Sequence, residues 1–556
     1  MKKLKSIAFI GILLWCLIGT ILFPAFRTLQ VSMTAEQRLS LIHYTDFLKN
    51  TINLETLFHS VTLGILTVLF CGIVGTSLAF LVHYYEMPYQ KFFDKILLLP
   101  IMLPGLIIVF AFVQLYGESG IITQSIKILL NLNEIPFRFK GLAGILFVHT
   151  YTQYVYFYLN VSIGIRHLDQ SVIEASRNMG ASKWVVFKTI LLPFLKPALI
   201  ASSIVTFMSG IGSFSAPSII GGSYRVMTVQ ILMSKANNYM SVAAMQVVLL
   251  SIVSLSFLWV LKQYEKRIQY QSSVRGALFK PLKLKKASHK WLQYIILCVL
   301  CLLILLPVVM ILVGSFISPG SWMVEIFPSK FSWDNYVKIF MKSRAFAPFK
   351  NSIIMALIAS LMTLLIGLPS SAIIEKSNYR SKGLIEFLVM LPWTMPSSAI
   401  AINTINAYNK ASVFSFNQIW VGSYMLLPIA YFISALPIMV RTLNVAMNGL
   451  NDTYIEASRS LGAKKLWTFR HVIVPIISPG IIAGFLLVFI RSIGEYTMSA
   501  FLYTVSNKPI SIAMVNSIFE YDIGLAMTYG ALLVIVSTLL SSFVYWLVPQ
   551  GGKTNA

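Results

Sequence analysis

A seven-residue stretch, Glu174-Ala-Ser-Arg-Asn-Met-Gly180, returns as Glu456-Ala-Ser-Arg-Ser-Leu-Gly462, and each copy is followed by two prolines, Pro193 and Pro197 in the first, Pro475 and Pro479 in the second. The glutamates, the glycines and both prolines are all 282 residues apart. Fixed spacing over that length marks a tandem duplication, so the fold of one half must be open to the other.

Composition decides the solvent. With 57% hydrophobic and 11% charged residues and a mean hydropathy of +0.77, the chain has too little polar surface to cover a soluble globule of 556 residues. Crossing a bilayer takes roughly 20 apolar residues as a helix, and about a dozen such windows are present. In the first half they fall at 6–26, 58–82, 96–116, 142–165, 194–214 and 241–261, and in the second at 291–316, 351–374, 384–408, 418–440, 479–503 and 524–548. The expected fold is all-α and polytopic. Residues 1–265 form a first six-helix repeat, 266–290 a basic linker and 291–556 a second six-helix repeat.

A net charge of +25 would suit a nucleic-acid partner, but its placement does not. With a cytoplasmic N-terminus (Met1-Lys-Lys-Leu-Lys5), roughly 28 of the 44 Lys and Arg fall on the cytoplasmic side and roughly 15 outside, as the positive-inside rule requires. Both termini then face the cytoplasm, and the charge sets topology in a lipid bilayer. The densest run, Lys266, Arg267, Arg275, Lys280, Lys283, Lys285, Lys286 and Lys290, lies in the linker and faces the anionic inner leaflet. The apolar run 7–26 is long enough to span and ends without a small-x-small cleavage site, so it reads as a retained first helix. Cys298 and Cys301 make a CxxC inside an apolar run, where they read as packing residues.

Both copies of the repeat fall in a cytoplasmic loop between the fourth and fifth spans. Ser171-Val-Ile-Glu174 and Thr453-Tyr-Ile-Glu456 fit a capping box. Gly180 and Gly462 then stand where a short helix must enter a left-handed turn. A second helical stretch, 183–192 and 464–474, is expected before the prolines open the next span. A short helix, a bend and a helix, with small Ala175 and Ala457 on the surface, make a docking knob. Two equivalent knobs call for a partner with two equivalent faces.

The pattern Glu-Ala-Ala, three residues, Gly, nine residues, Ile-x-Leu-Pro resembles the signature loop of type I permeases of bacterial binding-protein-dependent ABC importers. Glu174, Ala175, Ser176, Gly180, Ile190, Leu192 and Pro193 match it in the first copy; Glu456, Ala457, Ser458, Gly462, Val472, Val474 and Pro475 match in the second. Ser replaces the second Ala in both. The fusion of two repeats is similar to the ferric-iron-type branch and its thiamine and phosphonate relatives. Further matches to the family are Leu99-Pro-Ile-Met-Leu-Pro-Gly105 paired with Leu391-Pro-Trp-Thr-Met-Pro396, and Ser213-Phe-Ser-Ala-Pro217 leading to Gly221-Gly-Ser-Tyr-Arg-Val-Met-Thr228, the last of which most resembles fused ferric-type permeases. The resemblance implies a bacterial cell-membrane permease without enzymatic activity. It implies two copies of a cytoplasmic ATPase seated on the loops, an extracytoplasmic substrate-binding protein, and ferric iron as cargo, with phosphonate, thiamine or polyamine as alternatives. ATP and Mg belong to the ATPase: the only P-loop-like sequence, Gly552-Lys553-Thr554, lacks the first glycine and the helix that must follow. No cofactor or metal is expected on this chain.

Arg491 and Glu495 fall within the eleventh span, four residues apart and so expected on one helical face. Charge at that depth faces a water-filled path or a partner. The first half has Ser209 and Ser213 at the 282 offset, so a path between the halves is expected to be asymmetric. His149 with Gln153, and Asn403 with Asn406, are further polar positions explained by interhelical hydrogen bonding or by the path. An ion-gradient-driven secondary transporter is the competing class, and it leaves the repeated loop without a purpose.

Overall fold

The computed structural model describes residues 2–36, 38–267, 279–284, 286–321, 328, 330–377 and 379–547. Arg275, Lys285 and Gly552-Lys553-Thr554 lie outside them, as do the side chains of Lys266 and Arg267. Helix dominates; the strands among the described residues are two-residue pieces, Thr34–Ala35 paired with Arg38–Leu39.

Among the described residues, ten helices are long and apolar enough to cross a membrane. The ten are α1 (Ala8–Ser32), α2 (Thr51–Tyr84), α3 (Gly105–Leu129), α5 (within Lys183–Ile220), α6 (Met240–Glu265), α7 (Ala287–Gly314), α8 (Ser343–Lys376), α10 (Leu426–Asn448), α11 (within Leu466–Ile493) and α12 (Ile523–Val544). An eleventh, α9, is a pair, Lys382–Thr394 and Ser397–Tyr408, bent by 114°. A further long helix, α4 (Gly141–Arg166), has 26 residues and is more polar than these, carrying His149, Gln153 and Asn160. Six helices per half agree with the duplication.

The third span differs from its expected form in both halves. Instead of continuous helices over 96–116 and 384–408, the chain breaks at each Leu-Pro-x-x-x-Pro. Pro104 and Pro396 have extended ψ and become the N-caps of the helices starting at Gly105 and Ser397. The reason is local, because a proline disfavours helical geometry in the residue before it and donates no bond to the preceding turn.

The described residues divide into two compact units, and these do not coincide with the sequence halves. The first comprises Met1–Asp46, Ile231–Val248 and Gly314–Ala556; the second comprises Phe47–Gln230 and Leu249–Val313. Each unit takes the opening helix of the other half. In the second unit α7 packs on α2 and α4: Gln293 donates to the Leu81 carbonyl at 2.7 Å, Tyr151 donates to the Ile304 carbonyl at 2.7 Å, and Leu297, Cys301 and Ile304 enter the core. In the first unit α1 packs on α9: Asn406 donates to Thr28 Oγ1 at 3.2 Å and Tyr408 donates to the Gly19 carbonyl at 3.0 Å. Cys298 is exposed and Cys301 buried, both free thiols.

The centre of each unit is a trio of helices held close by small residues, as bilayer packing requires where no hydrophobic effect drives helices together. In the second unit, α2 meets α4 at Gly75, where a Cβ would sit 2.4 Å from the Tyr154 carbonyl oxygen, and meets α5 at Gly64. In the first unit, α10 meets α8 at Gly367 and α11 at Gly480 and Gly484.

Candidate functional site

The repeated loops fold alike, each within its own unit. The first loop helix is Gln170–Asn178 and the second Asp452–Ser460. Their N-caps are not the expected Ser171 and Thr453 but residues two positions earlier. Asp169 Oδ1 accepts the Ser171 N–H at 2.9 Å and its hydroxyl at 2.6 Å. Asn451 Oδ1 accepts the Thr453 N–H at 3.0 Å and its hydroxyl at 2.7 Å. An Asx side chain two residues upstream reaches the amide first, so the capping boxes do not form. Glu174 is left free to accept from Gln170 Nε2 at 2.8 Å on the surface.

The C-terminal ends follow expectation. Gly180 and Gly462 have φ of +84° and +81°. The N–H of each glycine donates three residues back, and Ala181 and Ala463 donate five back, to Ser176 and Ser458, both at 3.1 Å. This paired pattern closes the helix through a left-handed residue. The next stretch does not stop before the prolines. A π-turn, Phe187–Leu191 or Phe469–Ile473, joins Lys183–Val186 to α5 (Leu192–Ile211) and Lys465–Thr468 to α11 (Val474–Ile493) without a break. The loop helix is thus linked to a membrane helix through one bend.

Ile173, Ser176, Ile455 and Ser458 point inward, and Ser458 Oγ shares a hydrogen bond with Thr468 Oγ1 at 2.9 Å. Glu174, Ala175, Glu456 and Ala457 face out. So do large apolar side chains: Met179 is 82% exposed and Leu461 88%, with Trp184 and Trp467 beside them. Clustered apolar side chains open to solvent have the composition of a contact surface. The sequence signal for Met179 and Leu461 was an apolar residue immediately before each glycine. Each loop is also tied to the end of a long helix. Lys376 at the end of α8 donates to Asp452 Oδ1 at 2.6 Å and to the Leu450 carbonyl at 3.3 Å, while Arg177 interacts with Tyr84 at the end of α2.

The mid-chain charges are arranged differently from expectation. α11 ends at Ile493, so Arg491 and Glu495 do not share a helical face. They form no direct ion pair, although the Arg491 charge still acts on Glu495: Glu495 Oε1 accepts the Met498 N–H at 2.9 Å at the start of helix Thr497–Leu502, and Arg491 reaches Ser434 Oγ at 3.4 Å. Ser209 is half-buried on α5, which likewise ends before Ser213, at Ile211. Ser213 Oγ bonds to His149 Nε2 at 2.8 Å, and His149 Nδ1 bonds to Thr67 Oγ1 at 2.8 Å. At the 282 offset His149 corresponds to Tyr431, whose hydroxyl bonds to Ser499 Oγ at 2.6 Å; Ser499 in turn donates to the Glu495 carbonyl at 2.5 Å. Each unit therefore builds a polar knot near the end of the fifth helix of its half, centred on the His149 imidazole in one and on the Tyr431 hydroxyl, beside Glu495, in the other. Gln153 Oε1 is buried without a hydrogen-bond partner, whereas Asn406 is satisfied by Thr28. Among the described residues, no group of three or more His, Cys, Asp and Glu is placed to hold a metal ion.

The family model for the inner membrane component of binding-protein-dependent transport systems matches residues 71–270 and again 364–550. A probable ABC transporter permease protein, y4fN of Sinorhizobium fredii, is 29% identical over 92% of this chain and 90% of its own length. The Fe(3+)-transport system permease protein FbpB 2 of Haemophilus influenzae is 25% identical over 93% of both chains. The ferric transport system permease protein FbpB of Actinobacillus pleuropneumoniae is 24% identical over 86% of this chain and 69% of its own. With two matched segments covering most of the sequence and placed one in each half, the chain belongs to the binding-protein-dependent transport system inner membrane component family, as a fused pair of ABC-importer permease repeats.

Proposed function

We propose that this permease couples to two copies of a cytoplasmic ATPase through the loop helices Gln170–Asn178 and Asp452–Ser460, and that it carries ferric iron inward. One observation carries the coupling: two surface helices with the same Asx cap, the same left-handed glycine and the same outward Glu-Ala pair, each joined by one bend to a membrane helix. ATPase closure would move Glu174, Ala175, Ser176 and Gly180 with α5, and Glu456, Ala457, Ser458 and Gly462 with α11, shifting the helices between two states. On this reading the loops face the cytoplasm, and an even number of crossings from there would put both termini on the same side. ATP and Mg act on the ATPase, and this chain contributes neither a cofactor nor a metal to its own fold.

The path is assigned to the polar knots, with Arg491 and Glu495 in one unit and Ser209 and Ser213 in the other. Iron rests on the two ferric permeases that match over most of this chain. The test is reconstitution with the ATPase and the binding protein in proteoliposomes. Ala175→Cys and Ala457→Cys should each cross-link to an ATPase subunit, and labelled iron should accumulate only with ATP. ATP-independent accumulation driven by an ion gradient would refute the coupling.

A further inference from the structure

At the far end of α2 from the first loop helix, a cavity of about 220 Å³ opens between α2 and the segment after α5. Its walls are Ile52, Glu55, Thr56, His59, Ser223 and Arg225. From His59 to Tyr84, which meets Arg177 of the loop helix, α2 rises about 38 Å, more than the hydrocarbon core is thick. The cavity therefore lies at the face opposite the ATPase.

The wall from 223 to 227 is fastened rather than loose. The Tyr224 ring stacks on His59 with centroids 4.1 Å apart, and its hydroxyl donates to the His59 carbonyl at 2.9 Å. Met227 N–H donates to Ser60 Oγ at 2.7 Å. His59 Nδ1 lies 3.0 Å from the Arg225 carbonyl oxygen. A carbonyl only accepts, so Nδ1 carries the hydrogen, and the tautomer with that hydrogen has its lone pair on Nε2. A backbone carbonyl fixing one imidazole nitrogen is how proteins orient a histidine whose other nitrogen binds a cation. Glu55 stands one turn before His59 on the same face, the i, i+4 spacing of a two-ligand clip.

The formal charges of Glu55 and Arg225 cancel, so the cavity favours neither a bare cation nor a bare anion. The volume exceeds what one ion fills. We propose that this cavity is the receiving site for cargo as a metal cation still paired with an oxyanion, the cation meeting Glu55 and His59 Nε2, the anion meeting Arg225 and Ser223. Two protein ligands make a weak site, which a carrier needs if cargo is to leave again. The inference rests on the iron reading above. It assigns a use to the Gly221–Thr228 stretch, which the coupling machinery leaves unexplained.

The test uses the full complex in proteoliposomes, with Fe³⁺ supplied in inorganic phosphate as the probe. The variants are Glu55→Gln, His59→Gln and Arg225→Gln; the backbone carbonyl that orients His59 survives the last. Each should lower iron uptake by about tenfold or more, the scale on which metal sites respond to lost partners. Binding-protein-stimulated ATP hydrolysis should stay near wild type, and size-exclusion profiles should be unchanged. Wild-type iron uptake with unaffected Glu55→Gln and His59→Gln variants overturns the inference alone. Loss of stimulated hydrolysis together with uptake shows a docking surface for the binding protein instead, and overturns it too. A wild-type complex that carries no iron overturns the substrate reading and this inference with it.

Discussion

Replacing Gly462 separates the conformation of the second loop from its bulk. An added Cβ would meet nothing within 4 Å, so Gly462→Ala creates no clash inside the chain and its cost is the left-handed backbone at φ +81°. For an ordinary L-residue that cost is about 1–2 kcal/mol. Asparagine tolerates the same region, so Gly462→Asn should recover most of it although its side chain is larger. A change of that size lowers the ratio of bent to unbent loop by about 5- to 30-fold. The ordered bonds at stake are Gly462 N–H to Arg459 at 2.9 Å and Ala463 N–H to Ser458 at 3.1 Å, both at the surface. ATPase affinity, measured by titrating the purified ATPase onto the detergent-solubilised permease, should fall by up to that factor in Gly462→Ala, in proportion to the bent fraction lost, and by much less in Gly462→Asn. The thermal midpoint of the permease alone should barely move, because the helix trio is untouched. Equal effects of Ala and Asn would show that bulk rather than backbone matters; no effect of Ala would refute the bend as a coupling element.

Gly75→Ala drives a methyl toward the Tyr154 carbonyl at 2.4 Å and should destabilise the second unit by about 1–3 kcal/mol, read as a lower thermal midpoint. Asp94 gives a pH test. Burial raises its carboxyl, but hydrogen bonds from His83 and Tyr158 outweigh that and hold it below the usual carboxylate range. A depressed carboxylate stabilises fully above its unfolded value, near 3.9, and its contribution is lost as pH falls toward and through the lower folded one. Asp94→Asn should therefore flatten the acid limb of the thermal-midpoint profile below about pH 5 while lowering the midpoint at neutral pH. Glu495→Gln keeps an oxygen to accept from Met498, so folding should persist; if the carboxylate serves the path, uptake drops while ATPase binding stays intact, and unchanged uptake would refute that assignment.

The duplication was legible in the sequence as a fixed 282-residue spacing, and the helix count and the left-handed glycines because each depends on residues near in the chain. Spacing, apolar length and the steric freedom of glycine leave little to tertiary context. The loop caps were legible in principle: Asp169 and Asn451 also recur at 282, each two residues before a hydroxyl, but the Ser-x-x-Glu pattern masked them. The shared face expected of Arg491 and Glu495 failed because α11 ends between them, a boundary that hydropathy runs straight through. The breaks before Gly105 and Ser397 were hidden similarly, since a bent apolar segment and a straight one have the same composition. The partnership of His149 with Thr67 and Ser213 joins two helices to the loop after α5 and has no local trace at all.

The exchanged opening helices bear on how the protein is made. A ribosome that has released the first six helices has not released a finished unit, because α7 still has to arrive before the α2 and α4 surfaces are covered. The N-terminal helix must likewise wait, inserted but without its α9 partner, until residues near 408 emerge. Neither half can therefore complete its fold by itself, and the two halves produced as separate chains should become protease-resistant only when made together. Fusion keeps the waiting partners on one chain, which sets their ratio at one to one and keeps each uncovered helix within reach of the surface it must meet.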